Sequence, residues 1–202
     1  MAISKTQIVN RAMIKLGART VTNIDTDNTP ESNAALNVYD MALETVLCAK
    51  LWTFATRRVL LAQTVTSIPF SRSHESLLYS YQMPVDALKI FETNSIAAQW
   101  QVEGDQILSD TDGLGVRYVY RNLVTATYPP YFVEALSDKL ASDLAFTILN
   151  SRSVDEIMNR RYYQVSLPAA LSSDSQIGTP TPVNANYWIN ARLGGAEIQE
   201  LQ

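Results

Sequence analysis

The chain has 202 residues, which is long enough to bury one sizeable hydrophobic core. Hydrophobic residues make up 47% of it and charged residues only 18%, a globular composition in which part of the surface is often hidden in an assembly. The net charge is −4, from 16 basic and 20 acidic residues without a basic block, so groove-type binding to nucleic acid is not expected.

The sequence does not predict secretion or membrane insertion. Residues 1–7 have no cationic stretch followed by an apolar run, so we expect no secretory signal. No apolar segment approaches the ~18 residues that a membrane span requires. Cys48 is the only cysteine, which excludes an intrachain disulfide, and we interpret it as a small buried residue on the core face of a helix. We therefore expect a soluble protein that is cytoplasmic where it is made.

Two amphipathic helices are predicted before residue 51. Ser4 and Gln7 have the spacing of a capping box, and Gly17 is placed to end the first helix. Pro30 opens a second helix that runs to about Lys50 and would be ~30 Å long. Its predicted apolar stripe comprises Leu36, Tyr39, Leu43, Val46, Leu47 and Lys50. This stripe needs more apolar surface than the first helix supplies, so a later helix must pack against it.

The stretch Leu51–Arg58 is predicted to be the joint around which the chain is organised. Trp52 and Phe54 are two residues apart, a spacing that favours an extended turn out of a helix over continuation of its face. We predict that both rings are buried against the helical core, while Arg57 and Arg58 lie at its edge and pair with carboxylates or phosphate. The simpler alternative is that the rings are ordinary core and the arginines are solvated.

Residues 59–128 are predicted to form a small antiparallel sheet. Glu103–Gln106 has the composition of a hairpin turn, and a second turn precedes Val116, whose strand alternates apolar and polar residues. The predicted strands are Tyr79–Met83, Leu88–Glu92, Trp100–Val102, Ile107–Leu108 and Val116–Arg121.

Two helices follow the sheet in the sequence. A long helix from Tyr131 to Leu149 is predicted to be the partner of the second helix, and a further one covers Val154 to Leu167. Pro168 either kinks the latter or starts a new helix. The predicted fold class is α+β, mainly α. It comprises a helical bundle of residues 1–58 and 129–171, the inserted β region 59–128 and an extended C-terminal arm 172–202.

The predicted arm is rich in Ser, Thr and Pro, which favours extended, solvated backbone. It nevertheless carries Tyr187, Trp188 and Ile189, followed by Arg192. Burial of a large apolar side chain is worth about 1.5–3 kcal/mol, so such an arm usually docks onto its own body or a neighbouring subunit. These four residues are the predicted docking residues.

Groups for catalysis or metal binding are scarce. His74 is the only histidine, and no nucleophile elbow accompanies it, so neither a catalytic triad nor a zinc site is expected. Asp25 and Asp27 lack the glycine and downstream glutamate of a calcium loop, and Gly113-Leu114-Gly115 lacks the remainder of a phosphate loop. We expect no cofactor.

A glycan hydrolase that uses paired carboxylates is the alternative function. Loss of zymogram activity on peptidoglycan when Glu44, Glu75 or Glu103 is changed to Gln would favour it. The eligible acids are Glu44, Glu75, Glu92, Glu103 and Asp105, and the sequence does not rank them. Solvated acids are the simpler interpretation.

Several stretches occur together in a recognisable order. They are the capped helix Ser4–Gly17, Trp52-x-Phe54-Ala55 with Arg57-Arg58, Tyr79-x-Tyr81-x-Met83-Pro84-x-Asp86-x-Leu88, Val116–Tyr120, and Phe132-x-x-Ala135-Leu136 with Leu140-Ala141-x-x-Leu144-Ala145. Over roughly residues 4–145 the chain resembles the head-to-tail adaptor of short-tailed bacteriophages, the tail tubular protein A or head-completion protein family. No single motif is highly specific.

The resemblance implies a ring of about twelve copies that docks beneath the portal protein in the virion, with the tail nozzle protein on its lower face. Viral DNA would pass through an acidic lumen without specific binding, since like charges repel. The arm residues Tyr187, Trp188, Ile189 and Arg192 would reach the portal or a neighbouring subunit. Some members are reported to cleave glycans, but no residue of this chain is assigned to that activity. For Arg57 and Arg58 we hypothesise pairing across subunits with acids such as Asp138 or Asp143.

Overall fold

Five α-helices and six β-strands follow one another in residues 3–64 and 77–177, which are the residues that this computed structural model describes. The predicted α+β class with predominant helix is confirmed. The helices are α1 Lys5–Leu16, α2 Pro30–Cys48, α3 Pro130–Leu149, α4 Arg152–Arg161 and α5 Leu167–Ser175. The strands are β1 Thr56–Leu60, β2 Tyr79–Gln82, β3 Ala87–Thr93, β4 Trp100–Glu103, β5 Gln106–Ser109 and β6 Gly115–Tyr120. Within those ranges, no helix has both the length and the apolar character needed to cross a membrane.

The predicted helix boundaries have the expected caps. The Ser4 hydroxyl accepts from the Gln7 backbone N–H at 3.2 Å, and the Gln7 side chain accepts from the Ser4 N–H at 2.9 Å. Gly17 ends α1 with φ 69°, a left-handed conformation that glycine adopts without steric cost. Asn150 ends α3 in the same conformation. Local sequence therefore sets where α1 and α3 end.

The bundle is organised around α3, which packs against α1, α2 and α4. The prediction that α3 is the partner of α2 is confirmed. On α2 the stripe is shifted from the predicted one, because Leu36 is 41% exposed while Ala35 and Ala42 are buried. Alanines at these positions let the helices approach closely, a feature that a count of large apolar residues overlooks.

The β region contains two three-stranded antiparallel sheets, where a single one was predicted. Sheet 1 has the strand order β1-β6-β3 and sheet 2 the order β2-β5-β4. After β1 the chain stays extended: the N–H of Leu61 bonds to Leu114, and that of Thr64 bonds to Ser80 of sheet 2. The central strand β6 of sheet 1 is covered on both sides, since Val119 joins the bundle core while Tyr118 joins a second core between the sheets, whereas the edge strand β1 is largely exposed.

Three predicted boundaries are wrong. Strand β1 begins at Thr56, so the predicted change from helix to sheet after residue 58 falls inside a strand. Ser172–Ser175 belong to α5 and not to an extended arm. The predicted helix to Leu167 gives way to a π-helical turn over Tyr162–Ser166, after which Pro168 lies in the first turn of α5. The backbone stays helical throughout, and the proline, which has no N–H to donate, follows directly after the wider π-helical turn.

Candidate functional site at the joint between bundle and sheet

In the structure the joint comprises residues 50–56, where 51–58 is predicted, because Arg57 and Arg58 belong to β1. It is built around an aromatic cluster. Trp52 is fully buried, and its ring centroid lies 5.2 Å from that of Phe132 in an edge-to-face arrangement. Phe54 lies 4.7 Å from Phe132 and 5.7 Å from Tyr128. The indole N–H of Trp52 donates to the Val46 carbonyl at 2.9 Å. Aromatic pairs of this kind add about 0.5–1.5 kcal/mol each beyond area burial.

The local sequence produces the turn that was predicted from the Trp52 and Phe54 spacing. Helix α2 ends at Cys48, Trp52 has extended backbone, and a 3-10 turn over Thr53–Ala55 leads directly into β1. The two rings therefore enter the helical core from a segment that is itself not helical. The two rings pack in the core, as the simpler alternative predicts. They also join the bundle to sheet 1, as the joint interpretation predicts.

Asp174 of α5 is a buried carboxylate that holds the joint. Its Oδ1 accepts from the N–H of Thr53 at 3.2 Å and from the Thr53 hydroxyl at 2.7 Å, while its Oδ2 lies 3.3 Å from Nζ of Lys50. Tyr131 also donates to Oδ1 at 3.3 Å. Burial, with a further contribution from Asp174, raises the pKa of Tyr131. Asp174 is not predicted from the sequence because it lies past the predicted end of the helix. The available signal is its spacing of four residues from Ala170, which places both side chains on the same buried face of α5.

Arg57 belongs to sheet 1 itself. Its guanidinium pairs with Asp86 and lies 3.8 Å from the centre of the Tyr120 ring. The hydroxyl of Tyr118 donates to Oδ1 of the same Asp86 at 3.0 Å. Burial and this hydrogen bond raise the pKa of Tyr118. Arg57 thus has carboxylate and aromatic partners within its own chain.

Arg58 points to the opposite face of β1 and has no ion-pair partner in residues 3–64 or 77–177. It lies directly across from Arg117, which pairs with Glu92 at 3.1 Å. These side chains line an open concavity of about 460 Å³. We call this part of sheet 1 the overhang; its lining residues are 58–60, 92–94 and 115–117.

The hypothesised pairing of the arginines with Asp138 is wrong. Asp138 is buried within the bundle, where Oδ1 lies 2.6 Å from Nζ of Lys15 and Oδ2 lies 3.2 Å from Nε of Arg161. Asp143 pairs with Lys139, one turn away on α3, at 2.5 Å. Asp138 is therefore not accessible to another copy, and Asp143 already has a cation.

Glu134 completes the charged network beside Asp138. Nζ of Lys15 lies 2.8 Å from its Oε1, and Arg11 pairs with its other oxygen. Burial alone would raise the pKa of Glu134, but hydrogen bonds and attraction from Lys15 and Arg11 outweigh it and hold the pKa below its usual value. The network joins α1, α3 and α4.

The acids considered for hydrolysis lie on separate elements. Glu44 on α2 is 2.7 Å from Nε of Arg121, and Glu92 on β3 pairs with Arg117. Glu103 ends β4, and Asp105 lies in the turn between β4 and β5. Glu75 lies outside the described residues.

The structure also places Asp27, Gly113 and Cys48, which were considered as a calcium ligand, a phosphate-loop glycine and a buried thiol. Asp27 accepts from the N–H groups of Thr22 and Asn23 and so folds its own loop. Gly113 precedes strand β6 and not a helix, unlike the glycines of a phosphate loop. Cys48 is half-buried, less than predicted, and burial raises the pKa of its thiol.

The predicted docking residues Tyr187, Trp188, Ile189 and Arg192 lie outside the described part of the chain, as does His74. No protein-family model and no curated protein sequence matches this chain. The geometry of the joint and the overhang, together with the resemblance, therefore carries the functional argument.

Proposed function

We propose that this protein is a structural virion protein, a ring-forming head-to-tail adaptor that joins the portal to the tail nozzle and forms part of the DNA channel. The observation that carries the proposal is the joint. Stretches on which the resemblance depends, although far apart in sequence, contact one another there.

Two sets of contacts join these stretches. Trp52 and Phe54 of one stretch pack on Phe132 of another. Arg57 pairs with Asp86, which also accepts from Tyr118, so three stretches meet in one hydrogen-bonded group. Some residues that identify the resemblance thus connect the bundle to sheet 1, and others hold sheet 1 together, which supports a common architecture with the adaptor family.

Further contacts fasten sheet 1 to the bundle. Arg121, just after β6, pairs with both Asp40 and Glu44 on α2 at 3.2 and 2.7 Å. Nζ of Lys89 on β3 donates to the Cys48 carbonyl at the end of α2. A subunit fastened at several points is suited to a closed ring, because each interface must repeat the same geometry.

The pairing of the basic side chains also supports a channel that does not grip DNA. Gripping a duplex requires clustered cations that are free to contact phosphates. In the described regions many cations already have carboxylate partners, and the net charge is −4. These paired cations are Lys5, Arg11, Lys15, Lys50, Arg57, Arg117, Arg121, Lys139 and Arg161.

The test is reconstitution with purified portal protein, followed by native mass spectrometry and electron microscopy. We expect a ring of about twelve copies on one face of the portal. A Trp52→Ala variant, which disturbs the joint, should bind less, whereas Asp112→Ala in an exposed loop should bind like the wild type. Failure of the folded wild-type protein to bind the portal would contradict the proposal.

A further inference from the structure

We propose that the overhang of one copy binds a surface at the far end of the bundle of a second copy. This second surface, the bundle tip, comprises Phe146, Leu149, Arg152, Asp155 and Glu156. The inference deepens the proposed function and rests on it for the expectation that copies of this chain assemble. The two surfaces match in charge and in apolar exposure, and they lie far apart in one copy.

The overhang carries a positive charge that the described parts of its own chain do not balance. Arg58 and Arg117 are directly opposite each other on neighbouring antiparallel strands. Like charges in such a pair destabilise a sheet. Glu92 compensates one of them, so two arginines and one glutamate leave a net charge of +1. A carboxylate from outside would relieve the repulsion.

The overhang is also apolar at its end. Leu60 is 69% exposed although it lies in a strand, and Val59 is partly exposed beside it. Ile96, which follows the Asn94 that bonds to Gly115 at this end of sheet 1, is fully exposed. Strand β1 is an edge strand, and exposed apolar residues on an edge are a hazard unless another surface covers them.

The bundle tip has the complementary character. Asp155 and Glu156 at the start of α4, with Arg152, give a net charge of −1 around an open concavity of about 320 Å³. Phe146, which is 47% exposed, contributes an apolar ring, and the Arg152 guanidinium lies 5.9 Å from its centre. Leu149 is exposed one turn further along α3. An acidic and apolar surface thus exists to match the basic and apolar overhang.

The positions of the two surfaces require contact between copies. Helix α3 begins at the joint, where Phe132 packs on Trp52, and runs away from it for 20 residues. At 1.5 Å per residue, Phe146 lies ~21 Å along the helix from Phe132. The overhang therefore lies on sheet 1, which adjoins the start of α3 at the joint. The bundle tip lies at the other end of α3. Contact between them in different copies is head-to-tail, the type that generates rings or open chains.

Charge reversal with sedimentation velocity of the protein alone tests the inference. We expect concentration-dependent association of the wild type, and at least a tenfold weaker association for Arg58→Glu and for Glu156→Arg. Arg58→Glu changes the overhang to −1, and Glu156→Arg changes the tip to +1. An equimolar mixture of the two variants should associate again, because each reversed surface finds its complement. Arg19→Glu and Glu103→Arg, exposed charges outside both surfaces, should associate like the wild type.

The outcomes distinguish this inference from the proposed function. A wild type that stays monomeric at the highest attainable concentration overturns the inference, as does association of both folded variants at wild-type strength, or a mixture that does not recover. None of these results depends on the portal. Conversely, charge-dependent association without portal binding would support the inference and contradict the adaptor proposal.

Discussion

The two arginines of β1 are adjacent in sequence but differ in their partners and in the face of the strand on which they lie. Arg57 lies over Tyr120 and pairs with Asp86, so its charge is used within the fold. Arg58 points to the other face of the same strand, opposite another arginine. The difference follows from the two-residue period of a strand, which directs neighbours to opposite faces. One face therefore contributes to stability, and the other is available for contact.

The same contrast separates the joint from the overhang. At the joint, Trp52 is buried and Asp174 has partners on three other residues. At the overhang, Leu60 is exposed and Arg58 has no carboxylate partner among the described residues. Substitutions at the joint should consequently affect folding, whereas substitutions at the overhang should affect assembly alone.

The largest effect is expected at Trp52. Trp52→Ala removes the ring that packs on Phe132 and leaves a cavity, so we expect a loss of about 3–5 kcal/mol in the free energy of unfolding, measured with urea. Phe146→Ala, which truncates a half-exposed ring at the bundle tip, is the matched control and should cost less than about 1 kcal/mol. Equal losses in the two variants would mean that the joint is no more important to folding than the surface.

Asp174 ranks second. Asp174→Ala leaves the Thr53 N–H and the Lys50 ammonium without their carboxylate, and breaking a largely buried pair should cost about 3 kcal/mol. Hydrogen exchange should also become faster in α5 than in α1, because Asp174 fastens α5 to the joint. Asp112→Ala, in an exposed loop, should leave both measurements unchanged. An unchanged α5 in the Asp174 variant would show that its packing alone fastens it.

The two arginines themselves provide a smaller and more selective test. Arg57→Ala removes an ion pair and a cation–π contact that are half exposed, so we expect a loss of about 1 kcal/mol in unfolding free energy. Arg58→Ala should change it by less than about 0.5 kcal/mol, yet weaken assembly on the portal. The double change should leave the monomer folded. A folding defect in Arg58→Ala would place that residue in the core after all.

Glu134 gives the smallest effect, and it depends on pH. The pKa of this carboxylate is lowered in the folded protein, so its stabilising contribution is present above the ordinary value of 4.5 and is lost as the pH falls through the lower folded value. The urea midpoint of Glu134→Gln should be below that of the wild type at pH 7, and the difference should shrink under acid conditions. Glu103→Gln, in an exposed hairpin, should show no such trend. A difference that persists unchanged in acid would show that charge is not the cause.

What could be predicted from the sequence depended on short-range signals. The Ser4 cap, the Gly17 terminus and the Gly104 turn each require only a few neighbouring residues, and the structure has all three. The full burial of Trp52 was also predictable, because a large ring beside an amphipathic helix has an apolar surface to cover. Phe54, which is also predicted to be buried, is only partly so. Helix α3 was found from its period alone.

What could not be predicted depends on pairs that are distant in sequence. Thr53 and Asp174 are 121 residues apart, and Arg57 and Asp86 are 29 apart. The sequence around one residue of such a pair does not indicate the other. The acids hypothesised for the arginines, Asp138 and Asp143, are therefore not the one that pairs with Arg57. The division of the β region into two sheets depends on the extended segment after β1, whose mixed composition gives no strand signal by itself.

That extended segment links both sheets to the joint. Residues 56–64 bond first to β6 of sheet 1 and then, through Thr64 and Ser80, to sheet 2. The chain also passes between the sheets after β2, β3 and β5, so a force that separates them is shared among several covalent links. The link after β1 is the one that leads directly into the joint, where Trp52 and Asp174 are buried. We expect the sheets to yield together with the joint in a pulling experiment and not one at a time. Such continuity would suit the channel wall that the proposed function requires.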